Sequence, residues 1–328
     1  MTLQVLGLDI GGANLKAAHT DGSARSVAFP LWKNPRGLTA ELQRLVECMP
    51  RHDRLAVTMT GELCDCFATK REGVLAIVQS VRGISGETPI RIWSTRGRFV
   101  SCEDASVAAA NWLALAHLVG RQFARERVLL IDTGSTTTDI VYVNQGVPEP
   151  HGLSDPERLA SGELVYTGVR RTPICAVLGA EVAAEFFATM LDAYLLLGLI
   201  PENPTDCDTA DGRPATHAFA HARLARMRCA DVEMFTAEEA RQLAEHAISV
   251  QERAVQQAME RVAAGRPSVE RIVVSGSGAI LGRNVCAQQP GWSKSPLTSL
   301  TDLLGPALSE SACAYAVAML ARDEREIG

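Results

Sequence analysis

The 328-residue chain sets 32 Lys and Arg against 38 Asp and Glu, a formal charge of −6. An acidic balance with no local run of basic residues argues against a general nucleic-acid or membrane-surface binder. With 47% hydrophobic and 21% charged residues, the composition is that of a soluble α/β protein, and the length favours two domains over one.

The predicted elements begin with three strands, Gln4 to Ile10, Asn14 to Thr20 and Ser26 to Pro30, joined by turns at Gly11-Gly12 and Asp21-Gly22. A helix follows at Leu38 to Cys48, then a strand at Arg54 to Thr60, a helix at Lys70 to Gln79 and a strand at Ile90 to Ser94. Cys102 to Phe123 reads as a long Ala-rich helix whose acidic start, Glu103-Asp104, suits the helix dipole. At Arg127 the pattern restarts, with strands at Val128 to Asp132 and Thr138 to Asn144 and a turn at Gly146. Helices are expected over Ala180 to Leu199 and Thr236 to Ala264, with a Pro- and Asp-rich surface loop from Pro201 to Pro214 between them. A strand at Arg271 to Ser275 and a helix near Ser309 to Arg322 complete the chain. The apolar run Val182 to Ile200 is broken by Glu185, Asp192 and Gly198, which fits a buried helix and not a membrane span. Nine cysteines, odd in number and irregularly spaced, with no secretory signal before the first strand, predict reduced thiols and a cytoplasmic protein.

The restart is also an internal repeat. Asp9-Ile10-Gly11-Gly12 is answered 123 residues later by Asp132-Thr133-Gly134-Ser135, and each Asp lies between two strands. Two half-chains that open alike predict two related lobes around a central cleft, residues 1–125 with 309–328 and residues 126–308.

Three motifs carry the chemistry. In LGLDIGGANLK, Asp9 ends a buried strand before a glycine turn, where Gly11, Gly12 and Asn14 let backbone N–H groups approach phosphate oxygens. Lys16, on the returning strand, is placed to neutralise the same phosphates. In VLLIDTGSTTTDIVYV, Asp132 precedes Gly134, Ser135 and Thr136, a second dense set of donors. Asp9 and Asp132 are the carboxylates expected to hold Mg²⁺, an ion that keeps its waters and takes only one or two carboxylates. In RIVVSGSGAILG, a strand ends at Gly276, Ser277 and Gly278, a close-approach turn suited to a ring or a phosphate.

These motifs, in this order, resemble the two phosphate loops and the adenosine loop of the actin, hexokinase and heat-shock-70 superfamily. The resemblance spans nearly the whole chain and implies a duplicated ribonuclease-H-like α/β fold, with the last helix returning to the first lobe. A narrower resemblance lies in VTMTGELCDCFATKREGV, YTGVRRTPICAV and ADVEMFT. These are similar to a hydantoinase/oxoprolinase-like subgroup linked to tetrahydromethanopterin-dependent one-carbon transfer, with methanofuran-biosynthesis synthases among its archaeal members.

That subgroup implies a Mg²⁺-dependent transferase that joins an aminomethylfuran diphosphate to a tyramine-type phenol and releases pyrophosphate. Asp9 and Asp132 would then position the metal through water, and Lys16 would neutralise the leaving group. Glu62, just past the strand Arg54 to Thr60, is the candidate base for a phenol of ordinary pKa about 10. Lys70 and the pair Arg170 and Arg171 are candidate substrate contacts, Arg being suited to a carboxylate or phosphate. Competing readings are an ATP-dependent small-molecule kinase or hydantoinase-like hydrolase and, less in keeping with the chain's end, a nucleotide-driven switch. ATP therefore stands beside Mg²⁺ as an open cofactor. The partners expected are a small-molecule diphosphate and a phenolic or amine substrate, without nucleic acid or membrane, and a dimer is compatible.

Overall fold

The computed structural model describes residues 3–100, 105–288 and 291–324. The chain divides into two compact units, Met1–Leu130 with Val141–Arg158 and Thr298–Gly328, and Ile131–Ile140 with Leu159–Leu297.

The first sheet contains β1 (Val5–Ile10), β2 (Asn14–His19), β3 (Ala24–Ala28), β4 (Arg54–Met59), β5 (Ile90–Trp93) and β6 (Phe99–Val100), in the order β3-β2-β1-β4-β5-β6. Both β1 and β4 are buried at every residue, as strands covered on both faces must be. They pair in parallel, so their connection crosses over the sheet through the helix Leu38–Glu47. One face is filled by that helix and by Lys70–Ser85, with Leu42, Leu45, Ile77 and Val81 packing on Leu8, Ile10 and Val57.

The other face takes the helix Ala312–Arg322. It lies so close to β1 that a Cβ on Gly7 would run into the carbonyl of Ala314. Arg54, at the start of β4, donates to the carbonyl of Ala321 at 3.0 Å. Moving up the strands therefore means moving down the helix, and its N-terminus at Ser311 lies toward the C-terminal ends of β1 and β4.

The second sheet holds β7 (Arg127–Thr133), β8 (Thr138–Asn144), β9 (Val147–Pro148), β10 (Leu164–Val165), β11 (Arg271–Ser275) and β12 (Leu297–Ser299), ordered β10-β8-β7-β11-β12, with β9 pairing β8. With the two-residue β9 set aside and the count begun at β7, this repeats the 3-2-1-4-5 order of the first sheet, which is the duplication the repeat predicts. The helix Ala237–Ala263 packs beside the helices Met190–Leu196 and His217–Met227 in the second unit. Its start is fixed by a capping box in which Thr236 and Glu239 satisfy each other's backbone N–H.

Several predicted boundaries change. The helix expected over Cys102 to Phe123 runs from Asn111 to Gln122, because Ala109 adopts a left-handed φ of 49° and interrupts it; residues 101–104 lie outside the described residues. The Ala180 to Leu199 helix contracts to Met190–Leu196, since Asp192 and Thr189 form a capping box there, while Ala183 is tied by its N–H to the carbonyl of Met227. The Lys70 helix runs on to Ser85 and stops at Gly86, φ 54°. The third strand shifts to Ala24–Ala28, and the closing helix is divided at Ser311 into Pro306–Glu310 and Ala312–Arg322. The stretch 201–214 holds no helix or strand of the main elements, as its composition predicts. The eight cysteines among the described residues are free thiols. No described helix is long and apolar enough to cross a membrane.

Candidate active site

In the first unit, the ladder registers Lys16 opposite Asp9 and Asp9 opposite Thr58. Residues in register share a face of the sheet, so an ammonium, a carboxylate and a hydroxyl form one row across β2, β1 and β4. Gly7, two residues before Asp9, points to that same face, the one covered by the Ala312–Arg322 helix. The positive end of that helix dipole lies toward the row. Asp9 Oδ1, Thr58 Oγ1 and Ser311 Oγ are all buried and have no hydrogen-bond partner. Burial pushes the Asp9 carboxyl up to about 6, against the pull of the Lys16 ammonium.

The glycine turn that follows is held by its carbonyls. Gly11 N–H donates to Asn14 O at 3.0 Å, Leu31 N–H to Gly12 O at 2.8 Å and Phe29 N–H to Ala13 O at 2.9 Å. The N–H groups of Gly12 and Ala13 take no partner among the described residues. A turn whose carbonyls are tied back and whose amides are left over is an anion cradle.

Glu62 lies one residue beyond Gly61, whose own N–H donates to Ile10 O at 3.0 Å and whose missing Cβ would fall 3.1 Å from Gly11. The backbone of Glu62 is clamped on the helix Lys70–Ser85, at a spot where only Gly73 leaves room for it. Its side chain is 1% exposed, so Glu62 is a buried carboxylate and not a solvated one. Oε1 is 3.5 Å from Lys70 Nζ, while Oε2 is buried without a partner. Burial pushes this carboxyl up to about 7; Lys70 opposes the shift and the charge of Asp155 adds to it. Lys70 is committed within the protein, its ammonium 3.1 Å from Asp155 Oδ2.

The second unit repeats the cradle. Gly134 N–H donates to Thr137 O at 2.8 Å, the equivalent of the Gly11–Asn14 bond 123 residues earlier. Here the carbonyls are tied by the family-like segment, since Val169 N–H reaches Gly134 O, and Arg170 and Arg171 N–H reach Ser135 O at 3.1 and 2.8 Å. The amides of Ser135 and Thr136 are left without partners among the described residues. Gly168 packs directly on Ser135 and Thr136, where any side chain would collide. Behind it, Gln251 donates to Thr167 Oγ1 at 2.8 Å and to Gly168 O at 2.9 Å, and accepts from the Tyr194 hydroxyl.

The third motif closes on the second. Gly278 N–H donates to Thr133 O at 2.8 Å, and a Cβ on Gly276, φ +86°, would strike Thr133 O and come 2.8 Å from Asp132 Oδ1. Gly276 and Gly278 are thus glycines because the second loop packs against them, with Ser277 exposed between them. Arg170 offers no open guanidinium fork: Nη2 donates to both carboxylate oxygens of Asp206 at 2.7 Å. Arg171 is exposed beside it.

Sequence reasoning did not single out Thr58, Gly61, Asp155, Gly168 or Gln251. A signal for two of them was present. RLAVTMTG at Arg54 to Gly61 matches RIVVSGSG at Arg271 to Gly278, which pairs Thr58 with Ser275 and Gly61 with Gly278. The structure carries the match through, because Ser275 Oγ is buried and unpartnered like Thr58 Oγ1, and both glycines donate to the carbonyl after the Asp.

Residues 53–324 match the family model for hydantoinase/oxoprolinase. The chain belongs to the hydantoinase/oxoprolinase family. Over 250 residues, 71% of the chain and 74% of the relative, it is 34% identical to the (4-{4-[2-(γ-L-glutamylamino)ethyl]phenoxymethyl}furan-2-yl)methanamine synthase of Methanocaldococcus jannaschii. It is 26% identical over 204 residues, 60% of the chain and 91% of the relative, to the synthase of that name from Methanococcus vannielii. Among solved structures, the PilM-PilN type IV pilus biogenesis complex superposes with a TM-score of 0.51 at 13% identity, covering 99% of this chain and 100% of that one, a likeness of fold alone. This family member has the two-sheet α/β fold of the actin-like ATPases.

Proposed function

We propose that the protein is a Mg²⁺-dependent transferase in the biosynthesis of a methanofuran-type one-carbon cofactor. It joins an aminomethylfuran diphosphate to the phenol of a γ-glutamyltyramine-like acceptor. The product named for the two synthase relatives is an aryl ether of this kind. The observation that carries the chemistry is the row of half-buried Lys16 and buried Asp9 and Thr58 beside a cradle of unpartnered amides, with Glu62 one residue beyond Gly61.

In the reaction, the phenol O–H gives its proton to Glu62, the phenol oxygen bonds to the furanylmethyl carbon, and the bond from that carbon to the diphosphate oxygen breaks. Pyrophosphate leaves with the bonding pair. Glu62, raised to about 7, is a base poised near neutrality, and its buried Oε2, the oxygen without a hydrogen-bond partner, is the one to accept the proton. Lys16 and the amides of Gly12 and Ala13 meet the charge that grows on the leaving oxygens. The buried, unpartnered Asp9 oxygen fits a carboxylate that binds a hydrated Mg²⁺, and among the described residues no cluster of three or more acidic, His or Cys side chains offers a closed metal cage. Such an ion, when bound, screens the diphosphate charge.

The test is titration calorimetry with Mg-pyrophosphate and with Mg-ATP, on wild type and Asp9→Asn, joined to an assay of pyrophosphate release from the two substrates. Pyrophosphate binding lost in the variant, together with ether formation, is the expected result. Micromolar ATP binding without ether formation would replace this reading by a kinase or an ATP-dependent hydrolase.

A further inference from the structure

We propose that Asp155 is a positioning residue for Glu62, acting through the Lys70 ammonium that the two carboxylates share. The inference rests on the reading of Glu62 as the base. Lys70 Nζ lies 3.1 Å from Asp155 Oδ2 and 3.5 Å from Glu62 Oε1, so its closer and better-solvated partner is the residue with no place in the chemistry.

One helix of the first unit holds Lys70 and Glu62, and a second one holds Asp155. Lys70 is the first residue of its helix, after Thr69 caps the turn by accepting from Glu72 N–H. The Glu62 backbone is pressed onto the same helix at Gly73, which fixes the distance between the two side chains. Asp155 opens the short helix Asp155–Ser161, reached from the β8–β9 hairpin. Two segments, Glu62 with the helix that follows it and the sequence-distant helix of Asp155, thus place one cation between two anions, and Lys70 and Asp155 are the charged side chains acting on Glu62.

The arrangement has a purpose that a simple ion pair would not serve. Glu62 is 1% exposed, and in an undivided pair with Lys70 its carboxylate would be stabilised as the anion and weakened as a base. Sharing the ammonium with Asp155 relaxes that hold. It also leaves Glu62 tethered by one oxygen, Oε1, with Oε2 free to receive a proton. A solvated Lys70–Asp155 pair with no bearing on Glu62 would not need Glu62 within reach.

The experiment is a ¹³C NMR titration of the Glu62 carboxyl in the intact protein, in wild type, Asp155→Asn and Lys70→Met. It needs neither substrate nor metal. Asp155→Asn is expected to lower the Glu62 midpoint by about one pH unit and Lys70→Met to raise it by a similar amount. Thermal unfolding of each variant verifies that it folds. Shifts of opposite sign support the inference; a midpoint that stays put, or moves the same way in both variants, overturns it.

The pH dependence of kcat/KM then separates this from the base assignment. An acid limb abolished by Glu62→Gln and displaced in the same opposite senses by the other two supports both. A limb that survives Glu62→Gln overturns Glu62 as the base, whatever the titration shows.

Discussion

The two phosphate-type loops have the same backbone and different chemistry. Both use a strand-end Asp, a glycine N–H closing the turn, carbonyls tied to a neighbouring segment and two amides left over. At the matching positions, however, Lys16 in the first unit corresponds to Asp139 in the second, and Glu62 corresponds to Ala279. The supporting segment differs too: a continuation of β3 through Phe29 and Leu31 in one, and the Gly168–Arg171 turn backed by Gln251 in the other. Duplication thus preserves what holds an anion, which is backbone. The side chains that the proposed mechanism uses to neutralise charge and accept a proton, Lys16 and Glu62, are present on one side only. The first unit carries the reacting groups of the proposed mechanism, while the second repeats the backbone turn without them.

The largest effect that would sharpen this contrast is Glu62→Gln, expected to lower kcat by 10²- to 10⁴-fold, roughly the worth of a positioned general base. Ala279→Ser at the matching site should leave the rate nearly unchanged. Steady-state assays of the two variants make the comparison, and equal losses would break it.

Next comes Asp9→Asn, expected to cost on the order of 10²- to 10³-fold in kcat, with a gain in stability of the ligand-free protein at neutral pH. The sign follows from the raised carboxyl. Between the unfolded value of 3.8 and the folded value of about 6, the folded state holds more protons than the unfolded state, so stability is present at low pH and declines as pH rises through that window. Glu62 adds a second decline between 4.5 and about 7. Each step is worth on the order of 3 kcal/mol. Urea unfolding from pH 4 to 8 should show the slope in wild type and a flatter one in Asp9→Asn; a slope the substitution leaves intact would contradict the buried-carboxylate assignment.

Glycine substitutions follow in size. Gly168→Ala would thrust a methyl against the backbone of Ser135 and Thr136, and should destabilise by about 1–3 kcal/mol while weakening pyrophosphate binding. Gly22→Ala, at a β-turn with open space around it, should affect stability only through its left-handed φ of 99° and leave binding untouched. Denaturation midpoints and calorimetry on both variants test this. The smallest contrast is charge: Lys16→Gln should weaken Mg-pyrophosphate binding about tenfold, or about 1.4 kcal/mol, whereas Asp139→Asn should not weaken it. Calorimetry that finds the two equal would make the loops chemically equivalent.

Much of this was legible in the chain itself. The strand-end Asp residues, the glycine turns and the 123-residue repeat are local, and local backbone needs dictate them: buried parallel strands read as apolar runs, and a tight turn demands glycine. So the fold class, the two loops and the family resemblance were open to reading, as was the second alignment of RLAVTMTG with RIVVSGSG. Helix ends were harder. Ala109 takes a left-handed conformation that its side chain does not announce, and 182–189 is held out of a helix by a bond to Met227 that sequence proximity does not suggest.

Side-chain partnership was the part that only the tertiary structure decided. Nothing local marks Arg170 as bound to Asp206, Glu62 as buried, or Lys70 as shared with Asp155, because each partner comes from a segment far away in sequence. Backbone conformation is set within a few residues and is written in their identities. The solvation and charge state of a carboxylate are set by whatever the fold brings next to it, and in this protein those neighbours bury Glu62 beside a Lys70 ammonium that Asp155 also holds.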